Sequence, residues 1–311
     1  MERIRVYAPA TVANVACGFD IFGFAVNRPG DEIVLEKRSE PGIFIKEITG
    51  DDGRLPLEVE KNTAGIAIQK YLEYIGQPQQ GFVISLHKDM PLGSGLGSSA
   101  ASAVAGVFAA NELLGKPLSQ KELLPFAMEG ERMACGSAHA DNVAPSLLGG
   151  FVIIRSYHPL DIIQISTPED LFASIVHPHI EVNTKDARGI LDKEISLSTT
   201  ITQMGNVAGL VAGILLPDYD LIGRSLVDVI IEPTRSILIP QFAEVKAAAL
   251  QAGALGCSIS GSGPSLFALS KGKETAELVA NAMKFEFSRV GIDSEIYVSN
   301  INQKGPIILP N

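Results

Sequence analysis

One segment restricts the fold more than any other: Pro91-Leu-Gly-Ser-Gly-Leu-Gly-Ser-Ser-Ala-Ala101. It follows the apolar, partly alternating run Phe82–His87, which predicts a strand. It leads into an Ala- and Val-rich stretch from Ser98 to Leu114, which predicts a helix ended by Gly115 and Pro117. Three alternate glycines let the chain turn sharply and bring backbone close to a ligand. The start of a helix offers N–H groups without intrahelical partners and the positive end of its dipole. A strand, a glycine loop and a helix start together predict an anion site, with phosphate its usual occupant. From Asp89 to Gly115 there is no Lys or Arg. A phosphate held here would depend on backbone N–H groups, hydroxyls and a metal.

Two familiar phosphate motifs do not fit. A Walker A loop ends in Gly-Lys-Ser/Thr, and no such triplet occurs here. A dinucleotide fingerprint needs Gly-x-Gly-x-x-Gly, and Ser98 stands where the third glycine belongs. A tight turn with close helix packing through Ala and Ser is the plainer alternative.

Around this segment, strands and helices alternate irregularly. Arg3–Ala8, Glu32–Lys37 and Phe151–Arg155 read as strands. Helices are expected from Asn62 to Ile75, with Asn62 as N-cap, and from the capping box Ser119–Glu122 toward Met133. Pro125 predicts a kink or a late start in the latter. Farther on, Phe172–His177 and Glu295–Ser299 read as strands, as do the two flanks of the loop around Gly261. Thr184–Leu191, Ser198–Leu216, Asp220–Val229, Pro240–Gln251 and Lys273–Val290 read as helices. The pattern favours an α+β fold with antiparallel connections over a doubly wound parallel sheet. A length of 311 residues suits two domains, divided here as 1–160 and 161–311.

Charge and cysteine content narrow the function classes. With 25 Lys and Arg against 35 Asp and Glu, the net charge is −10, which argues against a nucleic-acid binder. No apolar run is long enough to span a membrane. Cys17, Cys135 and Cys257 are few and scattered, as in a reducing compartment, so a cytoplasmic location is expected. His177-Pro-His179 has no third ligand nearby and does not predict zinc.

The glycine–serine segment resembles the phosphate-binding motif of the GHMP kinases, a family of small-molecule kinases. Two further segments resemble that family's first and third motifs in the same order: Ala8-Pro-Ala-Thr-Val-Ala-Asn-Val-Ala-Cys-Gly-Phe-Asp20 and Gly256-Cys-Ser-Ile-Ser-Gly-Ser-Gly-Pro-Ser-Leu-Phe-Ala-Leu269. The resemblance runs from residue 8 to residue 269. It implies a two-domain α+β fold: an N-terminal half like ribosomal protein S5 domain 2, a ferredoxin-like C-terminal half, and the active site between them. Within the family, Asn14–Asp20 and Ala138–Pro145 resemble the branch that phosphorylates the amino alcohol L-homoserine. ATP and Mg²⁺ are then the implied cofactors, and a homodimer is a possible assembly. Another acceptor of the same family, mevalonate or a sugar, stays open as an alternative. So does a binding protein without catalysis.

The resemblance also implies residue roles. Pro91, Leu92, Gly93, Ser94, Gly95, Leu96, Gly97, Ser98, Ser99, Ala100 and Ala101 would form the nucleotide loop, with Asn62 near the adenine. Ser99 and Glu131 would meet Mg²⁺, directly or through water; by residue type alone Glu131 reads as a solvated helix residue. Asn142 stands where the mevalonate kinase branch carries an aspartate base. Asparagine cannot take a proton, so no side-chain base is expected and Asn142 would orient the acceptor hydroxyl. Arg188 and Arg235, with Thr184, are candidates for a substrate carboxylate, because guanidinium pairs with it through two bonds. Asn14 and Asp20 would meet the ammonium, His139 would line the same pocket, and Gly261 would let the third motif approach. Turn, cap and surface roles remain the plain alternatives for each.

Overall fold

A computed structural model describes residues 2–136, 139–192 and 194–310, apart from the side chains of 133–135, 184 and 185. Two sheets organise the chain. The first contains β1 (Arg3–Ala13), β2 (Phe22–Arg38), β3 (Ile43–Thr49), β4 (Gly81–His87), β5 (Phe151–Tyr157) and β6 (Leu160–Ile165). The second contains β7 (Leu171–Pro178), β8 (Gly256–Ile259), β9 (Leu266–Lys271) and β10 (Ser294–Asn300). β11 (Ile307–Leu309) returns to the first sheet. The first sheet is ordered β11-β1-β2-β4-β3, with β5 on β2 and β6 on β5; the second is β10-β7-β9-β8. The pairing therefore changes sheet between Ile165 and Leu171, and β6 stays with the first sheet.

The helices are α1 (Thr63–Tyr74), α2 (Ser98–Leu113), α3 (Leu124–Cys135), α4 (Ala140–Leu148), α5 (Thr184–Gly189), α6 (Leu197–Leu215), α7 (Tyr219–Ser225), α8 (Glu232–Arg235), α9 (Phe242–Gln251) and α10 (Lys273–Ser288). α2 lies on β1 and β2, and α10 lies on β7, β9 and β10. Small residues bring α2 close: Ala100, Ala101, Ala103 and Ala105 are fully buried. The two sheets share one core, where the Phe24 ring of β2 meets the Phe267 ring of β9 edge-on at 5.9 Å. No helix among the described residues is long and apolar enough to cross a membrane.

The expected α+β class holds, with departures that have local causes. β3 pairs parallel to β4, against the antiparallel expectation, and only Ile45 along it is fully buried, so its alternation is weak. The capping box at Ser119 and Glu122 forms, but it opens a 3₁₀ turn over Gln120–Leu123. Pro125 then sits in the first turn of α3, where its missing N–H costs nothing, so this helix starts late. α7 stops at Ser225, short of the expected Val229. α9 begins at Phe242, because Gln241 at φ +61° interrupts the chain after Pro240. α4, with Pro145 inside it, has no counterpart among the elements expected from the sequence.

Candidate functional site

The predicted strand–loop–helix unit forms as β4, the loop 88–97 and α2. Gly93, Gly95 and Gly97 have φ of +68°, +77° and +71°, the left-handed region that glycine enters without strain. Two of them also have no room for a side chain. A Cβ on Gly95 would lie 2.5 Å from the Ser260 carbonyl oxygen, and one on Gly97 would lie 2.2 Å from Thr11 Oγ1. Gly97 opens α2 without a side-chain cap, so the first N–H groups of the helix are left for a ligand.

The loop is tied down from three sides. Thr11 N–H donates to the Leu96 carbonyl (3.0 Å) and Ser265 N–H to the Ser94 carbonyl (3.2 Å). Ser260 Oγ donates to the Gly95 carbonyl (2.8 Å). The third tie is a buried carboxylate on β2. Asp31 Oδ1 accepts from the N–H groups of Asp89 (3.1 Å) and Met90 (3.3 Å) at the loop's entry. Its Oδ2 accepts from Ser98 Oγ (3.0 Å) at the exit and from the Lys88 ammonium. Lys88 donates further to the Ser98 carbonyl (2.9 Å) and to Ser102 Oγ (2.6 Å). One carboxylate thus clasps both stems of the loop, and the nearest cation is spent on it.

A cavity of about 400 Å³ runs from this loop to the second half of the chain. Of the expected residues it is lined by Asn14, Asp20, Asn62, Leu92, Gly93, Ser94, Gly95, Gly97, Ser98, Ser99, Glu131, His139, Asn142, Arg188, Arg235 and Gly261. Pro91, Leu96, Ala100 and Ala101 do not line it. Leu96, Ala100 and Ala101 are fully buried in the core and support the loop from behind. Thr184 belongs to α5, but its side chain lies outside the described residues. Ala138, in the second quoted stretch, also lies outside them. Asn62 performs the expected capping, with Oδ1 accepting from Ala64 and Gly65 N–H.

At the far end, charges of both signs meet. Arg188 Nη2 donates to both carboxylate oxygens of Asp20, at 2.8 and 3.1 Å. His139 Nδ1 lies 3.8 Å from Asp20 Oδ1. Burial lowers the His139 pKa, and the Asp20 carboxylate opposes that shift. Arg235 is buried; its Nε donates to the Ala187 carbonyl (3.0 Å) and its Nη1 to the Gly261 carbonyl (3.1 Å). Burial, then the charge of Arg188, pulls its pKa below the usual range. Phe19 lies beneath both guanidinium groups, 5.3 Å from Arg188 Cζ and 4.9 Å from Arg235 Cζ. Asn14 spends its amide on the Gly261 carbonyl (2.7 Å), and its Oδ1 accepts from Asp20 N–H (3.0 Å).

Asn142 Oδ1 accepts from Thr11 Oγ1 at 2.7 Å, so Thr11 fixes which face of the amide points into the cavity. Beside it, Asp141 is buried and its Oδ1 has no hydrogen-bond partner among the described residues. Burial first, then the charges of Asp20 and Glu131, push its pKa up to about 7. Ser94 Oγ is likewise buried without a partner among the described residues. Sequence reasoning missed Thr11, Phe19, Asp31, Lys88 and Asp141. Lys88 directly precedes the cation-free stretch 89–115, and Asp141 directly precedes Asn142.

Glu131, buried on α3, and Ser99, on the first turn of α2, line the same cavity. These are hard oxygen donors of the kind Mg²⁺ takes. That ion needs only one or two protein ligands when phosphates and water supply the rest. The donor set fits it.

Residues 62–150 match the family model described as GHMP kinases N terminal domain, and residues 210–289 match GHMP kinases C terminal. The chain belongs to the GHMP kinases. A homoserine kinase of Chlorobaculum tepidum is 54% identical over 320 residues, covering 99% of each chain. A crystal structure of homoserine kinase from Cytophaga hutchinsonii is 61% identical, with a TM-score of 0.97 over 99% of this chain and 98% of that one. A mevalonate kinase structure superposes with a TM-score of 0.73 at 16% identity, over 97% and 99% of the two chains, a likeness of fold alone. In this GHMP kinase the family's two-domain fold brings all three motifs to one cavity. The first supplies Asn14, Phe19 and Asp20, the second the glycine loop, and the third Gly261 and Ser262.

Proposed function

We propose that this chain is a homoserine kinase, which transfers the γ-phosphoryl group of ATP to the side-chain hydroxyl of L-homoserine. The product, O-phospho-L-homoserine, lies on the route to threonine. One observation carries the reading: a cavity with an uncapped glycine loop at one end and an Arg188–Asp20–Arg235 cluster at the other. An acceptor that carries a carboxylate and an ammonium complements that cluster. Its carboxylate replaces Asp20 on Arg188, and its ammonium takes up Asp20. The full-length identity to relatives named homoserine kinase supports the same reading.

In this reading the glycine loop and the first turn of α2 receive the phosphates through N–H groups. Ser99 and Glu131 would hold Mg²⁺, which would supply charge neutralisation on the phosphates. Asn142, braced by Thr11, holds the acceptor hydroxyl. Asparagine accepts no proton, so the hydroxyl proton leaves to a phosphate oxygen or to water as the new P–O bond forms and the β,γ-bridge bond breaks. A loose transition state permits this, because the nucleophile needs little activation early. The division into an N-terminal nucleotide domain and a C-terminal domain belongs to the same proposal, with the boundary moved from 160/161 to the stretch between Ile165 and Leu171, since β6 stays with the first sheet and β11 returns to it. So does the cytoplasm as its compartment.

A coupled ADP-release assay with L-homoserine, mevalonate and galactose tests the reading. Turnover with L-homoserine alone is expected. Turnover with mevalonate or galactose and none with L-homoserine overturns it. Replacing Arg188 with Ala raises KM for L-homoserine by tenfold or more, since a charge-assisted pair contributes about 1.5–3 kcal/mol.

A further inference from the structure

Two segments carry the charged end of the cavity, and neither has much regular structure of its own. Asp20 and Phe19 sit on the loop after β1, where Asn14, Val15 and Ala16 have φ of +70°, +42° and +57°. Arg235 ends α8, a helix of four residues. Something outside these segments must set how far apart they stand.

The Gly261 carbonyl ties them from one side, through Asn14 and Arg235, and Gln203 of α6 bonds to both segments from another. Among the outward-facing Ile201 and Met204 of that apolar helix, Gln203 is buried. Its Nε2 donates to the Cys17 carbonyl (3.0 Å), inside the Asn14–Asp20 loop. The same Nε2 donates to Asp228 Oδ1 (2.8 Å), and Gln203 Oε1 accepts from Val229 N–H (3.0 Å). Asp228 is also buried, and it caps the segment leading to Arg235. Its Oδ1 accepts from Ile230 (2.9 Å) and Ile231 (3.0 Å) N–H, and its Oδ2 from Glu232 N–H (2.9 Å). Arg235 N–H then donates to the Ile231 carbonyl (2.9 Å). A chain of hydrogen bonds therefore runs from Cys17 through Gln203 and Asp228 to the turn that ends in Arg235. Phe19, two residues beyond Cys17, closes the circuit by stacking under Arg235.

We propose that Gln203, acting with Asp228, is a positioning residue for the acceptor: it sets the spacing between Asp20 and Arg235, and so the fit of a zwitterionic amino alcohol. The proposal rests on the functional reading above. Gln203 touches neither the glycine loop nor Ser99, so its effect belongs to the acceptor and not to the nucleotide.

The test is Gln203→Met, which keeps the length of the side chain and removes all three bonds. Misplacing a clamp by a fraction of an ångström costs about tenfold or more. The expected result is a rise of about tenfold in KM for L-homoserine, with KM for MgATP within twofold of wild type. Asp228→Asn supplies a second variant if the first does not fold. It keeps one acceptor oxygen and turns an amide toward Glu232 N–H, and a smaller rise in the same KM is expected. An equal rise in both KM values, or no change in either, overturns the proposal while the wild type still phosphorylates L-homoserine. A wild type that turns over no amino alcohol overturns the functional reading, and this proposal with it.

Discussion

Asp141 gives the sharpest quantitative prediction. It is an acid buried beside two other carboxylates, and its pKa rises from 3.8 to about 7. An acid whose pKa is raised by folding binds its proton more tightly in the native state. Its neutral form carries no penalty below the unfolded value near 3.8, and stability is lost as pH rises toward 7. At 1.36 kcal/mol for each tenfold change in proton affinity, the span from 3.8 to about 7 amounts to about 4 kcal/mol at pH 8. At pH 5 the same reasoning gives about 1.6 kcal/mol. Asp141→Asn removes the charge at every pH. The variant should therefore gain on the ligand-free wild type by about 3 kcal/mol between pH 5 and pH 8. At about 2.1 cal/mol/K of unfolding entropy per residue, 311 residues convert this into about 4 °C of Tm. Thermal melts of both proteins at the two pH values measure it. A Tm difference that stays constant with pH refutes the reasoning, because any packing change from the amide is common to both conditions.

Other perturbations separate space, charge and access. Gly97→Ala meets Thr11 Oγ1 and Asn142 Oδ1 and strains a φ of +71°; kcat/KM should fall tenfold or more. Gly115→Ala, at φ +86° with open space around it, should cost only about 1–2 kcal/mol of stability and leave kcat/KM unchanged. Lys88→Met leaves the buried Asp31 carboxylate without its cation and should destabilise by about 3–5 kcal/mol. Asp31→Asn with Lys88→Met should recover most of that loss, and equal melting temperatures for single and double variants would contradict the clasp. Burial pushes the thiols of Cys17 and Cys257 up to about 12. At pH 8 both should resist iodoacetamide in the folded protein and label in urea, as read by peptide mass mapping.

The parts of the site legible in the sequence are those with local backbone causes. Glycines that need a positive φ, a capping Asn62 and a helix starting at Ser98 are decided by neighbours in the chain. Asp31 shows the opposite case. It reads as one charge in a strand, yet it binds both stems of a loop some sixty residues away. Thr11 likewise acts on Asn142 across 131 positions. α4 carries Pro145 inside it, a residue that argues against a helix. In the fold, the missing N–H of Pro145 leaves the Asp141 carbonyl free of a helical partner. Gly23, on β2, packs its backbone against that oxygen, so closely that a Cβ there would lie 1.9 Å away. Pro145 thus lets the helix lie against the sheet, and so sets Asp141 and Asn142 at the cavity.

Charge neutrality joins these observations. The cavity is lined by Lys61, Lys88, Arg188 and Arg235 in a chain of net charge −10, and Lys61 pairs with Glu58. Lys88 is bound to Asp31, Arg188 to Asp20, and Arg235 to two carbonyl groups and the face of Phe19. The nucleotide end therefore relies on N–H groups that are fixed before binding, and these cost no rearrangement as phosphate charge shifts during transfer. Under the proposed function, the acceptor end would work by exchange. An incoming carboxylate and ammonium would take over a salt bridge that the protein already makes, so neither Arg188 nor Asp20 would be left desolvated and unpaired. An acceptor with a carboxylate alone would free Asp20 with nothing to meet it, at a cost of about 1–3 kcal/mol or more for a charged group. Discrimination against mevalonate then follows from the Asp20–Arg188 pair itself. Asp20→Asn should narrow the preference for the amino alcohol, by raising its KM while leaving weak binding of the ammonium-free acid unchanged or improved.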